Sequence, residues 1–466
     1  VITEPEQALL DEETATPAAA ASLPEAPAAL QRRVLGLAWP VIGENMLETS
    51  LDIVNTVLVA ALGAAALAGV GSGLQIMFFV LAALAALSVG SSILVAQAVG
   101  ARDLAAACRL ARQSLLWSVI LSVPLALVGF TLAGPIIGIF GLAPDVAAIA
   151  QSYLRVAMGT VVVLVALVIG GGVLRGAGDS RTPMLVTLAA NIVNLGLAYS
   201  LIYGQFGLPA LGAVGSAWAA FASRSFALLL LLRALWIGRN GVRIAGRDWR
   251  PDWSVARRVL GLGIPASLEQ VSLASAFLTL TILVARLGTD TLAAQRIAMS
   301  ALSFSFLPGI GFGLAATALV GQSIGARRPG TAYGVANVAT TWAVIWMSAI
   351  AVLVLLFATP IMQLFTDNAQ VVRIGAGGLR VMALTQPFWA VNMTRSGALR
   401  GTGDTRFPLL IGSLGMWSAV LLVWLFLSFI GGSLPLVWAA FLVTSPVSAT
   451  LTWRRFGARI RELAAG

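Results

Sequence analysis

Arg32-Arg33-Val34-Leu35-Gly36-Leu37 returns letter for letter as Arg257-Arg258-Val259-Leu260-Gly261-Leu262, residue 257 against residue 32, a shift of 225. The same shift carries Pro40 to Pro265, Glu44 to Glu269, Gly63 to Gly288, Gln97 to Gln322, and Gly100-Ala101-Arg102 to Gly325-Ala326-Arg327. It also carries Leu154-Arg155-Val156 to Leu379-Arg380-Val381, and Leu174-Arg175-Gly176-Ala177-Gly178-Asp179 to Leu399-Arg400-Gly401-Thr402-Gly403-Asp404. It slips only late, when Trp218-Ala219-Ala220-Phe221 meets Trp438-Ala439-Ala440-Phe441 at a shift of 220. So many matches at one offset mark an internal duplication, and therefore two like structural halves.

What each half is made of follows from composition. The chain has 466 residues, 59% of them hydrophobic and 10% charged, against about 45 to 50% and about 25% in soluble domains. Hydrophobic runs broken by Gly, Pro and Arg give twelve candidate spans, at 34–61, 66–98, 114–140, 147–174, 182–204, 212–237, 258–286, 292–324, 332–358, 370–398, 407–430 and 434–453. The reading is an all-α integral membrane protein of twelve transmembrane helices in two six-helix lobes. Six crossings per half is even, so the lobes run the same way and are related by a pseudo-two-fold axis along the membrane normal. The expected division is a disordered cytoplasmic tail at 1–30, without the apolar core of a signal peptide, an N-lobe at 31–238, an inter-lobe loop at 239–256, a C-lobe at 257–453 and a C-terminal tail at 454–466.

Arginine falls on alternate turns: Arg32 and Arg33, then Arg102, Arg109 and Arg112, then Arg175 and Arg181, the cluster Arg239 to Arg258, then Arg327 and Arg328, Arg400 and Arg406, and Arg454 to Arg461. The intervening turns carry almost none. By the positive-inside rule both termini are cytoplasmic, and the net charge of +10 tracks the membrane surface, with no nucleic-acid partner expected. All 29 basic residues are Arg and there is no His. Without Lys there is no P-loop and no Schiff base, and without His no zinc-protease motif. No cofactor is expected, and a membrane enzyme is disfavoured. The single Cys108 permits no intrachain disulfide.

The candidate site is in the first span, between Pro40 and Asn55. Glu44, Glu48 and Asp52 recur every four residues and fall, at about 100° per residue, on one face with Asn55. An acid at mid-bilayer costs about 2.5 to 3.5 kcal/mol, so such a face belongs against a water-filled cleft that attracts cations or protons. Glu44 has a repeat mate in Glu269, whereas Glu48 faces Leu273 and Asp52 faces Phe277. A structural acid should occur in both halves and a coupling acid in only one, so Glu48 and Asp52 are the favoured functional pair, the rival being acids that merely pair with buried arginines. Burial and mutual repulsion favour the neutral form of such acids, as a proton carrier needs. Glu44 and Glu269 are read equally as orienting the kinks at Pro40 and Pro265 through freed backbone or as functional. Asn191 and Asn194 in the fifth span share a face, for helix ties or for the same cleft, and Arg224 in the sixth is a candidate counter-ion. Asp179 and Asp404 can cap the helices that follow their turns.

Leu62 to Gly69 and its mate Leu287 to Ala294, Gly321-Gln322-Ser323-Ile324-Gly325, both Leu-Arg-Gly-x-Gly-Asp turns, and Asn191-Ile192-Val193-Asn194 carry a resemblance that covers about residues 32 to 453. On these motifs the chain resembles the multidrug and toxic compound extrusion (MATE) family, in or near its DinF-like branch. It implies export of cationic or amphipathic small molecules in exchange for protons or sodium ions. In the DinF-like pattern the first-helix aspartate falls on Asn55, a helix-five aspartate on Ala198 and a helix-six threonine on Ala220, while Asn194 is retained. Asp52, three residues before Asn55 on nearly the same face, is read as the replacement. The acid that other branches place on helix seven falls on Leu273, with Glu269 one turn earlier.

The resulting expectation is a monomeric antiporter that rocks its two lobes, with small-molecule cations and membrane lipids as partners and Asp52 and Glu48 exchanging protons. Sodium coupling, a lipid-linked precursor flippase, and a non-transporting membrane scaffold or receptor are the alternatives.

Overall fold

The computed structural model describes residues 27–246, 249–429 and 431–465. Eight helices, α1 (Pro27–Ala60), α2 (Ala64–Gly100), α3 (Leu104–Thr131), α4 (Ala133–Gly138), α5 (Pro144–Gly159), α6 (Val161–Gly176), α7 (Arg181–Tyr203) and α8 (Ala213–Ile237), make the first half. Six make the second: α9 (Trp253–Ala285), α10 (Thr289–Gly325), α11 (Pro329–Gln363), α12 (Ala369–Gly401), α13 (Arg406–Phe429) and α14 (Leu434–Ala465). Among the described residues nine helices are long and apolar enough to cross a membrane, and α5 with α6, meeting at 51° around Thr160, form a tenth span. The other two are α1 and α12, of 34 and 33 residues, about 50 Å each at 1.5 Å per residue. Both are long enough but polar. One carries the acidic stripe and the other Arg373, Arg380, Arg395 and Arg400. Span three, expected at 114–140, is α3 followed after Leu132 by the short α4.

The helices overrun the apolar runs on the arginine-bearing side. α1 begins at Pro27 with Leu30 buried, inside the stretch read as tail, while residues 1–26 and Arg247 lie outside the described residues. α3 begins ten residues early, under a cap in which Asp103 accepts from the Ala106 amide at 2.8 Å. α14 continues through the stretch assigned to the C-terminal tail, held by Arg455 donating to Asp404 at 3.1 Å. Hydropathy marks where a helix meets lipid. The helix itself continues as long as one side packs and its end is capped.

The lobes exchange their first helices. α1 starts in a core with the second half, where Val34, Leu37, Ala38 and Ile42 pack among Phe312, Leu319, Ala336 and Met347. It ends in the first half, with Val59 beside Ala198, Ile202 and Ala217. α9 does the converse: Val255 and Val259 join the first-half core, and Ala276, Leu280 and Val284 the second. The crossover passes the Glu44 level in α1 and the Glu269 level in α9. One side of the molecule is thus closed by swapped helices, and the acidic stripe begins where that closure ends.

A symmetric clasp completes the closed side. Gln97 of α2 donates to the Gly401 carbonyl at 3.1 Å, and its repeat mate Gln322 of α10 donates to the Gly176 carbonyl at 2.9 Å. Each bond runs from one half to the Leu-Arg-Gly turn of the other. The helices approach so closely that a Cβ on Gly100 would overlap the Gln322 carbonyl, and one on Gly325 the Gln97 carbonyl. Small residues at such crossings supply the close packing that holds membrane helices together, since lipid gives no hydrophobic drive. Each amide-to-carbonyl bond contributes about 1 kcal/mol net. Removing both glutamines (Gln97→Ala with Gln322→Ala) should therefore shift the lobes toward separation by about 30-fold. A cysteine placed at buried Ala96, in a Cys108→Ala background, should then be modified correspondingly faster. An unchanged modification rate would exclude the clasp.

Candidate functional site

Three consecutive turns of α1 give their acids different environments. Glu44 accepts from Nη1 of Arg175 through both oxygens, at 3.0 and 2.9 Å. Its mate Glu269, 5% exposed, accepts from Nη2 of Arg400 through both oxygens, at 2.8 Å each. The two ion pairs are copies of each other. This corrects the expectation that these acids bond to backbone freed by Pro40 and Pro265: their partner is the arginine of the Leu-Arg-Gly-x-Gly-Asp turn, which sequence reading took for part of the basic edge. The available signal was that both members of each pair recur at the same shift. In those turns Gly178 and Gly403 take φ of 87° and 88°, where a side chain would be strained. Asp179 accepts from the Thr182 amide at 3.0 Å and Asp404 from the Phe407 amide at 3.1 Å, the caps the sequence implies.

Glu48 and Asp52 follow on the same face, and both are exposed. Among the described residues neither forms an ion pair. The reading of acids that merely pair with arginines therefore describes Glu44 and Glu269. Arg224, half-buried on α8, is within electrostatic reach of both Glu48 and Asp52, but as an unbonded neighbouring charge. Tyr153, buried on α5, is within reach of Asp52 and Arg224. The constellation therefore draws on α1, α5 and α8.

α7 fixes the stripe in place. Asn191 donates to the Leu47 carbonyl at 2.7 Å and Tyr203 to the Leu58 carbonyl at 2.8 Å, tying α1 before and after Asp52. Asn194 donates to Ser223 Oγ on α8 at 3.1 Å. Its Oδ1 is buried without a partner, as is Oδ1 of Asn55. An unfilled buried acceptor is costly. The stripe thus presents two carboxylates against one guanidinium, with two uncommitted amide oxygens buried in α1 and α7, an arrangement suited to a cation or a proton. Ala198, where the DinF-like pattern has an acid, is fully buried in the core of this half.

The second half has no such acids. The mates of Glu48 and Asp52 are Leu273 and Phe277. Phe277 packs with Trp389 at 6.5 Å between ring centroids, and Trp389 with Phe306 edge-on at 5.4 Å. Sequence reading missed this cluster from α9, α10 and α12, although the loss of both acids in the repeat pointed to an apolar counterpart. It also missed Arg395, fully buried on α12, which donates to Asn337 Oδ1 at 2.6 Å and lies 3.8 Å above the Trp453 ring. Contact with an aromatic face stabilises a cation that has no acid beside it. Arg395 thereby ties α11, α12 and α14 together.

The family model described as MatE matches residues 40–200 and again 265–425, two copies separated by the same 225 residues. A probable multidrug resistance protein NorM from Thermotoga maritima is 30% identical over 391 residues, 84% of each chain. The multidrug resistance protein PmpM of Pseudomonas aeruginosa is 27% identical over 393 residues, 83% of this chain and 81% of its own. Among solved structures, a multidrug resistance MATE family transporter of the MOP superfamily in its outward-facing conformation is similar at TM-score 0.88, over 94% of this chain and 97% of its own at 24% identity. A repeated six-helix unit, a lobe-crossing first helix and a family match that covers both repeats converge on one assignment: the chain belongs to the MATE family of multi-pass membrane transporters.

Proposed function

We propose that the protein is a secondary antiporter that exports cationic or amphipathic small molecules from the cytoplasm in exchange for protons, with Asp52 and Glu48 as the exchanging acids. The observation that carries this reading is that these two acids, alone on the stripe, are exposed and free of ion pairs while Glu44 is held by Arg175. A carboxylate without a fixed partner binds a cation, and its protonation removes the charge that holds the cation. Release then follows when the lobes rock about the crossover of α1 and α9. Arg224 limits the net charge of the wall, which weakens cation binding enough for release. The arginine-rich side is placed in the cytoplasm, with both termini there, in the inner membrane of a bacterium, and one chain carries the complete site. Names of relatives such as multidrug resistance protein PmpM support the substrate class.

Sodium exchange is the second reading, favoured by the unpartnered oxygens of Asn55 and Asn194, since sodium takes amide and carboxylate oxygens as ligands. The deciding experiment is efflux of a fluorescent cationic dye from liposomes holding the purified protein, under a proton gradient, a sodium gradient, or neither. Efflux driven by protons alone is the expected result. Efflux driven by sodium alone transfers the role to the second reading, and no dye movement under any gradient overturns multidrug export and favours the flippase alternative.

A further inference from the structure

The far end of the α11–α12 hairpin holds a cavity of about 440 Å³, on the side opposite the arginine-rich turns and remote from the acidic stripe. Its polar lining is Thr359, Gln363, Thr366, Asp367, Arg373 and Arg380. Beside it α11 breaks: Phe357 leaves helical geometry at φ −111° and ψ 21°, and Pro360, three residues on, has no amide to continue the ladder. The start of α12 is not the attractive element, since Asn368 already accepts from the amides of Gln370 and Val371 at 2.9 and 3.3 Å. The arginines are. They stand seven residues apart, two turns along one face and about 10.5 Å in rise, and among the described residues neither forms a salt bridge. Among the described residues Arg380 donates to the hydroxyl of Thr359, at 3.4 Å.

Two long cations that converge on one polar cavity suit an anion with several oxygens, such as a phosphate. What kind of phosphate follows from the surroundings. The preceding turns of α11 present Val352, Leu353, Leu356 and Phe357 as an exposed apolar lane, Leu356 at 68%, leading to the cavity. An acyl chain fits the lane and a head group the cavity. Asp367 adds one negative charge beside the two positive ones, which matches a head group carrying an ammonium beyond its phosphodiester.

We propose that this cavity binds the head group of a zwitterionic phospholipid of the phosphatidylethanolamine type, with Arg373 and Arg380 on the phosphodiester, Asp367 on the ammonium and an acyl chain along α11. The site lies at the boundary of the bilayer, where arginine side chains reach the interface. A lipid seated there fills the break in α11 and braces this hairpin of the C-lobe.

The test is native mass spectrometry of the purified full chain titrated with phosphatidylethanolamine, phosphatidylglycerol or chain-free glycerophosphoethanolamine. Wild type should retain one phosphatidylethanolamine most tightly. The double variant Arg373→Ala with Arg380→Ala should bind it at least about tenfold more weakly, as expected for losing a charged hydrogen-bonding partner, and Asp367→Asn should erase the preference over phosphatidylglycerol. Both arginines are exposed, so the double variant should keep its melting temperature in lipid-free detergent; if it does not, Arg373→Gln and Arg380→Gln singly provide the same readout. Equal retention by the variants overturns the site. Equal binding of the chain-free compound overturns a lipid in favour of a soluble phosphate, and tighter binding of phosphatidylglycerol overturns the zwitterion.

Discussion

Asp52→Asn is expected to reduce gradient-driven dye export by about 30-fold, because the amide neither carries an exchangeable proton nor holds a cation by charge, and losing a charged hydrogen-bonding interaction costs about 1.5 to 3 kcal/mol, each 1.4 kcal/mol being tenfold. Asparagine keeps the shape of the side chain and its place on α1, so the change isolates charge and the exchangeable proton. Glu48→Gln should have a smaller effect, since Asp52 remains, within electrostatic reach of Arg224 and Tyr153. Glu44→Gln should act differently again. It breaks the pair with Arg175 and lowers the yield of folded protein, while each folded molecule still transports. The measurement is initial efflux rate per folded transporter in liposomes under a fixed proton gradient. Wild-type rates from Asp52→Asn would remove this residue from the mechanism.

The second large effect is on stability. Arg400→Ala should cost about 3 to 5 kcal/mol, the typical loss when one member of a buried ion pair is removed and the other is left charged. Glu269 is buried beneath α13, where a Cβ on Gly412 would lie 3.4 Å from its oxygen, so little water can replace the guanidinium. Against a total stability of about 5 to 15 kcal/mol, such a loss leaves little folded protein. Replacing both partners, Glu269→Leu with Arg400→Leu, should recover much of it, because the cost of the unpaired charge disappears. Thermal unfolding in detergent of wild type, both single variants and the double variant closes the cycle. Single variants that melt with wild type would show that the pair does not hold the lobe together. The Arg175 and Glu44 pair, its repeat copy, should show the same pattern.

Membrane residence, twelve spans and the two-lobe plan were legible in the chain itself. Each rests on one-dimensional quantities, namely apolar run length, the spacing of arginines and the constant shift between halves. The acidic face of the first helix was legible for the same reason, since residues four apart share a side whatever the helix packs against. Which acid stays free was a different matter. Glu44, Glu48 and Asp52 are equivalent in spacing, and only the fold brings Arg175, at the end of α6, to the first of them, across 131 residues. The exchange of α1 and α9 between lobes and the Gln97 and Gln322 clasp likewise depend on contacts between distant segments. Hydrophobicity is a property of each residue and sums along the sequence, so it fixed where the chain enters and leaves the bilayer. Pairing of charges and close approach of backbones depend on direction and distance in space, so the tertiary structure alone decided which polar groups are spent holding the fold and which are left to work.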